Sequence, residues 1–320
     1  MATAGRTFDG SVERNARHRA WILAIRPQTL PAGAAPVVVG TGVAVAEEVF
    51  ALWPALAALL GALLIQIGTN LANDVYDAER GIDTDDRVGF TRVTSAGLLP
   101  GPVVKRGMWA TFGTAVVIGG YLVWIGGLPI VVIGLVSIAA GITYAGGPIP
   151  FGSYGLGDLF VFVFFGLVAV CGTYYVQAAA VLSDPFPVWL PPETITPLAI
   201  LASIPVACLT TAILVVNNYR DVETDAEAGK HSLAVLLGLR WTRVEFVGLI
   251  TVAYAVPVGL AVGPIGVLIL LPLITLPYAG LITRRMLTMP PGPVHNQTLG
   301  WTGKLLAGYA LLFAVGVVLA

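Results

Sequence analysis

The 320 residues are 57% hydrophobic and 11% charged, with a mean hydropathy of +0.86, a balance that belongs to integral membrane proteins and leaves no stretch polar enough for a separate soluble domain. The formal net charge of −1 gives no basis for binding nucleic acid. Cys171 and Cys208 lie inside apolar runs and read as small buried hydrophobes, and His18, His231 and His295 lack ligand spacing, which excludes a disulfide framework and a zinc or haem centre.

In chain order, residues 1–19 form a polar tail with Arg6, Arg14, Arg17 and Arg19 and no short apolar core ahead of a cleavage site, so no signal peptide is expected and the amino terminus is placed in the cytosol. Residues 20–320 then read as a single transmembrane domain. A helix crossing a hydrocarbon core of about 30 Å needs about twenty mostly apolar residues. Unbroken apolar runs predict nine such helices, near 21–46, 51–72, 104–124, 128–147, 157–181, 196–217, 241–260, 264–284 and 302–320. Pro27, Pro31 and Pro36 make the first irregular, and Gly126, Gly127 and Pro129 divide the uncharged stretch from Gly107 to Gly157 into two spans with a tight turn. With the amino terminus cytosolic, all 17 Lys and Arg residues fall in the tail or in cytosolic loops and helix ends, and the opposite loops hold only Glu47, Glu48, Asp184 and Glu193. This is the positive-inside bias, and it favours an odd number of spans. The expected fold is an all-α polytopic bundle around a central cavity open to the cytosolic side, in the cell membrane.

Two polar stretches follow the second and sixth spans. Asn70 to Arg92 holds Asp74, Asp77, Asp83, Asp85 and Asp86, and Asn217 to Lys230 holds Asp221 and Asp225. Asn73 and Asn217 each precede an Asp by four residues, Asp77 and Asp221, a match that points to duplication of a four-helix unit. If the second helix continues to Asp77, then Asn70, Asn73, Asp74 and Asp77 share one stripe, and Asn217, Asp221 and Asp225 do the same on the sixth. Clusters of hard oxygen ligands suit Mg²⁺, which uses one or two carboxylates per ion together with substrate phosphate. Arg92 and Lys230 would contact phosphate oxygens. The competing reading makes these solvated loop charges, with Asp74 and Asp77 capping or pairing with Arg80.

A diphosphate held at the membrane surface by an apolar bundle implies a substrate with a greasy remainder, and prenyl diphosphates fit. Stabilising the leaving diphosphate promotes an allylic cation, and the cavity must then exclude water and offer π faces. Tyr144, Trp109, Tyr174 and Tyr175 are candidates to line it.

The residues Asn73-Asp74-Val75-Tyr76-Asp77 and Asp221-Val222-Glu223-Thr224-Asp225 resemble the NDxxD and DxxxD motifs of the UbiA superfamily of intramembrane prenyltransferases. The chain looks most like its 1,4-dihydroxy-2-naphthoate branch, through Arg26-Pro27-Gln28-Thr29-Leu30, NLANDVYDAERGIDTDDR, Arg92-Val93-Thr94-Ser95, TYAGGPIPFGSYGLGD and NNYRDVETDAEAGKHSLAVLLG. The resemblance implies that Asn73, Asp74, Asp77, Asp221 and Asp225 hold Mg²⁺, with Asp83 in place of the further aspartate of the first motif. It also implies that Arg26, Arg92 and Lys230 bind phosphate, and that Tyr144 shields the cation or orients the aromatic acceptor. Asp158 stands where similar sequences often carry Glu, and as a helix N-terminal charge it has a plain structural reading. The implied reaction joins a polyprenyl group to 1,4-dihydroxy-2-naphthoate with loss of CO₂, as in menaquinone biosynthesis. Its partners are polyprenyl diphosphate, the acceptor and the bilayer, with no protein partner implied. Rival readings are a 4-hydroxybenzoate or geranylgeranylglyceryl phosphate prenyltransferase, which would share the metal site, and a cation-coupled transporter, which would carry its charges near mid-span.

Overall fold

A computed structural model describes residues 10–81, 88–147, 150–263 and 265–320, with side chains from 15 onward. Its helices are α1 (Gly10–Ile25), α2 (Leu30–Ala46), α3 (Leu52–Glu79), α4 (Gly101–Thr143), α5 (Gly157–Leu182), α6 (Pro197–Arg220), α7 (Val222–Glu227), α8 (Leu233–Ala261), α9 (Val267–Thr288) and α10 (His295–Leu319). Eight helical stretches are long and apolar enough to cross a membrane among the described residues, the first of them combining α1 and α2. The fold is an all-α membrane bundle.

The difference between nine predicted spans and eight helices lies in α4. Its 43 residues would reach about 65 Å if straight, twice the hydrocarbon core. Gly127 interrupts it with φ 62° and ψ −148°. Beyond that break the two arms run back along each other, because the Phe112 ring lies beside Gly141 and both flank α3 at Gly68 and Thr69. Thus α4 is a helical hairpin. Its apex is fixed by Pro187, whose carbonyl accepts from the Leu128 amide at 3.0 Å, and a Cβ on Gly127 would lie 1.8 Å from that same carbonyl oxygen.

Several expected boundaries shift. The first predicted span, 21–46, is broken at Arg26 (φ 55°), since Pro27 and Pro31 remove backbone donors and only a short 3₁₀ turn bridges to α2. Part of the predicted tail is helical, from Gly10 onward. The α8 helix starts at Leu233, eight residues early, and bends at Gly238 (φ 79°). In α5 a π-helical segment, Phe162–Val168, widens the helix. Within it, Gly166 lets α6 approach so closely that a Cβ would stand 2.0 Å from that of Ala207.

The most thoroughly buried helix is α6. It starts at Thr196, whose hydroxyl accepts from the Ala199 amide (3.2 Å), with Pro197 in the first turn. Around it α2, α5, α8, α9 and α10 pack through residues such as Val39, Tyr174, Leu209, Phe246, Ile282 and Phe313. A second cluster joins α1 and α3 to α4 through Ala24, Leu71, Val75, Met108 and Phe112. The periphery is apolar in the opposite sense: Trp53, Val117, Trp124, Leu135 and Trp189 are exposed, as lipid-facing side chains must be.

Candidate active site

The α3 helix runs unbroken to Glu79 and stops because Gly81 takes φ 68° just past its end. That length puts Gln66, Thr69, Asn70, Asn73 and Asp77 on one stripe, and all five line a cavity of about 160 Å³ at this end of the bundle. Asp74 is turned away from it. Its two carboxylate oxygens accept from the backbone amides of Val93 and Thr94, both at 2.9 Å, and it is 1% exposed. Asp74 therefore organises the 92–94 turn, and that turn delivers Arg92, whose guanidinium meets Asp77 Oδ2 at 2.9 Å. Arg80, which the competing reading pairs with Asp74 and Asp77, donates to the Ala145 carbonyl (3.1 Å).

The second stretch is built differently from expectation. The α6 helix ends at Arg220, and Asp221 sits in a one-residue break before α7 that backbone bonds from Asp221 to Asn217 and from Asp225 to Asp221 bridge; of the three, only Asn217 lines the chamber. The break is held by Arg220, which is 2% exposed. Its Nε and Nη2 meet both oxygens of Asp221 (2.7 and 2.6 Å), Nη2 also donates to Asn217 Oδ1 (2.8 Å), and Nη1 donates to Asn296 Oδ1 (2.9 Å). The guanidinium also lies 5.4 Å from the Phe90 ring centroid. Asp225 pairs with Lys230, whose Nζ is 3.1 and 3.2 Å from its oxygens. Just past this stretch the His231 amide donates to the Ser153 carbonyl (3.1 Å), and Asn296, the partner of Arg220, donates through its side-chain Nδ2 to the Val88 carbonyl (3.2 Å).

Both stretches open onto the same chamber. Asn73, Asp77 and Arg92 line it from one side and Asn217, Arg220 and Lys230 from the other, with Arg26, Asn70 and Tyr144 completing the wall. Tyr144 is half-buried, its ring packed against Gly152 and Gly157. Burial, and after it the negative charge of Asp158, Asp77 and Asp225, raise its hydroxyl pKa above the ordinary phenol value, so it stays a neutral O–H donor. Asp158 is 5% exposed at the start of α5, and its carboxylate oxygens have no hydrogen-bond partner on another residue among those described. Asp83, Asp85 and Asp86 lie outside the described residues.

Arg220, Phe90, Gln66 and Asn296 are parts of the site that sequence reasoning missed. Arg220 stands inside the quoted NNYRD segment, but nothing in a linear pattern says that its charge turns inward. Conversely, Trp109 is exposed, and Tyr174 and Tyr175 are buried away from the chamber, Tyr175 donating to the Gly126 carbonyl (2.7 Å). The aromatic lining comes from Phe160, Phe164, Phe165 and Tyr144. These border an apolar channel of about 390 Å³ that shares Ala32, Thr69, Tyr144, Val161 and Phe165 with the polar chamber. The π-helical turn lets Phe164 and Phe165 both face it while Gly166 faces α6.

Among the described residues no three carboxylates, histidines or cysteines converge as a preformed metal cage. What the chamber does offer is hard oxygen: Asp77 and the Asn73 Oδ1, which is buried without a hydrogen-bond partner among the described residues, with Asp225 behind the wall against the lining Lys230. That donor set fits an ion that keeps much of its water shell and completes its coordination with phosphate.

The chain matches the UbiA prenyltransferase family over residues 34–293. It is 36% identical over 278 residues to the 1,4-dihydroxy-2-naphthoate octaprenyltransferase of Mycobacterium tuberculosis, covering 86% of each chain. It is 37% identical over 236 residues to the protein of the same name from Escherichia coli, covering 69% of this chain and 70% of that one. Among solved structures, a UbiA homolog from Archaeoglobus fulgidus bound to GPP and Mg²⁺ superposes with a TM-score of 0.62 at 16% identity, covering 94% of this chain and all of the other.

Proposed function

The chain belongs to the UbiA prenyltransferase family and is a membrane prenyltransferase; from that premise we propose that it transfers a polyprenyl group from polyprenyl diphosphate to 1,4-dihydroxy-2-naphthoate, with loss of CO₂. The observation that carries this reading is the meeting of the two acidic stretches, with their cations, in one polar chamber that leads directly into an apolar channel. One end suits a diphosphate and the other a polyprenyl tail. The naphthoate acceptor is supported by the names of the relatives, which match over most of both chains.

Asn73, Asp77 and Asp225 would hold Mg²⁺, with Asp74 and Asp221 fixing the turns that carry Arg92 and the α6–α7 break. The ion's contribution is to neutralise charge developing on the leaving diphosphate. Arg92 and Lys230 now balance Asp77 and Asp225, and each lies within reach of an anion in the chamber. Arg26 and Arg220 add positive wall. The C1–O bond of the prenyl diphosphate breaks, and the diphosphate takes the electron pair. The acceptor carbon bearing the carboxylate attacks C1, a C–C bond forms, and CO₂ leaves, returning its electron pair to the ring to give the prenylated hydroquinone. Tyr144 and the phenylalanines of α5 keep water from the cation and present π faces to it. The chamber faces the cytosol in this proposal.

Membranes carrying the protein, supplied with Mg²⁺, a polyprenyl diphosphate and a panel of aromatic acceptors, are expected to form a demethylmenaquinol-type product with 1,4-dihydroxy-2-naphthoate, detected by mass spectrometry. Chelation by EDTA should abolish the product and added Mg²⁺ restore it. Product with 4-hydroxybenzoate alone would overturn the acceptor assignment.

A further inference from the structure

Three side-chain oxygens along α3 are buried with no hydrogen-bond partner among the described residues: Gln66 Oε1, Thr69 Oγ1 and Asn73 Oδ1. All three residues line the polar chamber, and Thr69 also lines the apolar channel. The bonds around Thr29 decide which way Gln66 faces. The Thr29 hydroxyl donates to the Arg26 carbonyl (3.0 Å) and accepts from Asn70 Nδ2 (2.9 Å) and Gln66 Nε2 (3.1 Å). A hydroxyl has one proton and two lone pairs, so Thr29 has nothing left to donate, and only the amide nitrogen of Gln66 can face it. The carbonyl oxygen of Gln66, itself 6% exposed, is thereby fixed at the cavity wall as a bare acceptor. Such an acceptor left unsatisfied costs about 1–3 kcal/mol.

Gln66 lies two turns below Asn73, roughly 10 Å along the helix, between Ile65 and Thr69, which line the apolar channel. An ionised diphosphate carries no hydrogen-bond donor, and a polyprenyl tail carries none either. Of the substrates in the reading above, only a hydroxylated aromatic acceptor brings an O–H group to this depth. Resting on that reading, we propose that Gln66, assisted by Thr69, accepts a hydrogen bond from an acceptor hydroxyl and sets the ring against Tyr144. Gln66 is then a specificity-determining residue for the acceptor and not for the prenyl donor.

The test compares 1,4-dihydroxy-2-naphthoate with its two mono-O-methyl ethers, which differ in which hydroxyl can donate, in the full-length protein with Mg²⁺ and a saturating polyprenyl diphosphate. Wild type is expected to reject one ether about tenfold or more relative to the other. Gln66→Met keeps the side-chain length and removes the acceptor oxygen. It should raise the KM for the dihydroxy acceptor by about tenfold or more, leave the KM for polyprenyl diphosphate within about twofold, and lose the discrimination between ethers. Thr69→Val should show a smaller change of the same kind. An equal rise in both KM values, an unchanged acceptor KM, or discrimination retained in Gln66→Met overturns the assignment. If Gln66→Met does not fold, wild type treating both ethers alike overturns it without the variant. Should wild type use 4-hydroxybenzoate in place of the naphthoate, the naphthoate reading fails, yet the same KM split measured with that acceptor still supports Gln66.

Discussion

At the scale of single residues, aspartates that look alike in the sequence do different work. Asp77 lines the chamber beside Arg92, while Asp74, three residues earlier, is spent on the amides of Val93 and Thr94. Replacing Asp77 by Asn should abolish turnover in the prenyltransferase assay and leave the solubilised protein folded, with a lowered Tm because the buried Arg92 loses its counter-charge while the amide keeps the shape. Full activity in Asp77→Asn would remove it from the catalytic machinery. Asp74→Ala acts on structure instead. It orphans two backbone donors, at about 1–3 kcal/mol for a buried group, and faster hydrogen exchange at Val93 and Thr94 should accompany the lost activity. Arg220 shows the same inward logic with opposite charge. Arg220→Ala strands Asp221, Asn217 and Asn296 in the interior, and a loss of about 3–5 kcal/mol should appear as a lowered Tm.

At the scale of elements, glycine placement decides what a run of apolar residues becomes. The α4 hairpin depends on one residue, Gly127, whose positive φ and contact with Pro187 leave no space for a side chain. Gly127→Ala should strain the backbone and push the apex away from Pro187, and the expected outcome is a fall in Tm of the detergent-solubilised protein together with poorer recovery from membranes. Gly113→Ala serves as the control: on the same helix, a Cβ there meets nothing within 4 Å. Equal behaviour of the two variants would mean that the apex tolerates bulk. Similar reasoning explains the α5–α6 crossing at Gly166, which leaves the adjoining phenylalanines to face the channel.

At the scale of the whole molecule, both acidic stretches meet Arg26, Arg92, Arg220 and Lys230 around one polar chamber, and the apolar channel leads away from it toward the lipid-facing wall near Val116 and Leu135. We propose, from the positive-inside bias, that the chamber end of the bundle faces the cytosol. In a protein with Cys171 and Cys208 replaced by Ser, Arg106→Cys should be labelled by an impermeant maleimide only from the cytosolic side, and Asp184→Cys only from the opposite side; both positions are exposed. Labelling in the reverse sense would invert the topology.

The sequence by itself determined the membrane class, the apolar runs, the two-arm reading of residues 104–147 and the pairing of two acidic stretches, because these rest on local quantities: hydropathy, glycine and proline positions, and the spacing of Asn and Asp along a helix. It also carried the family, through motifs that are contiguous in the chain. Only the tertiary structure decided which of those polar groups face one another. Arg220 turns into the protein because Asp221, Asn217 and Asn296 surround it. Asp74 leaves the chamber because the 92–94 turn folds back onto it, and Gln66 shows a bare oxygen because Thr29 has already used its only proton. Each of these depends on partners drawn from distant parts of the chain, and a buried polar group takes its role from the partners that satisfy it.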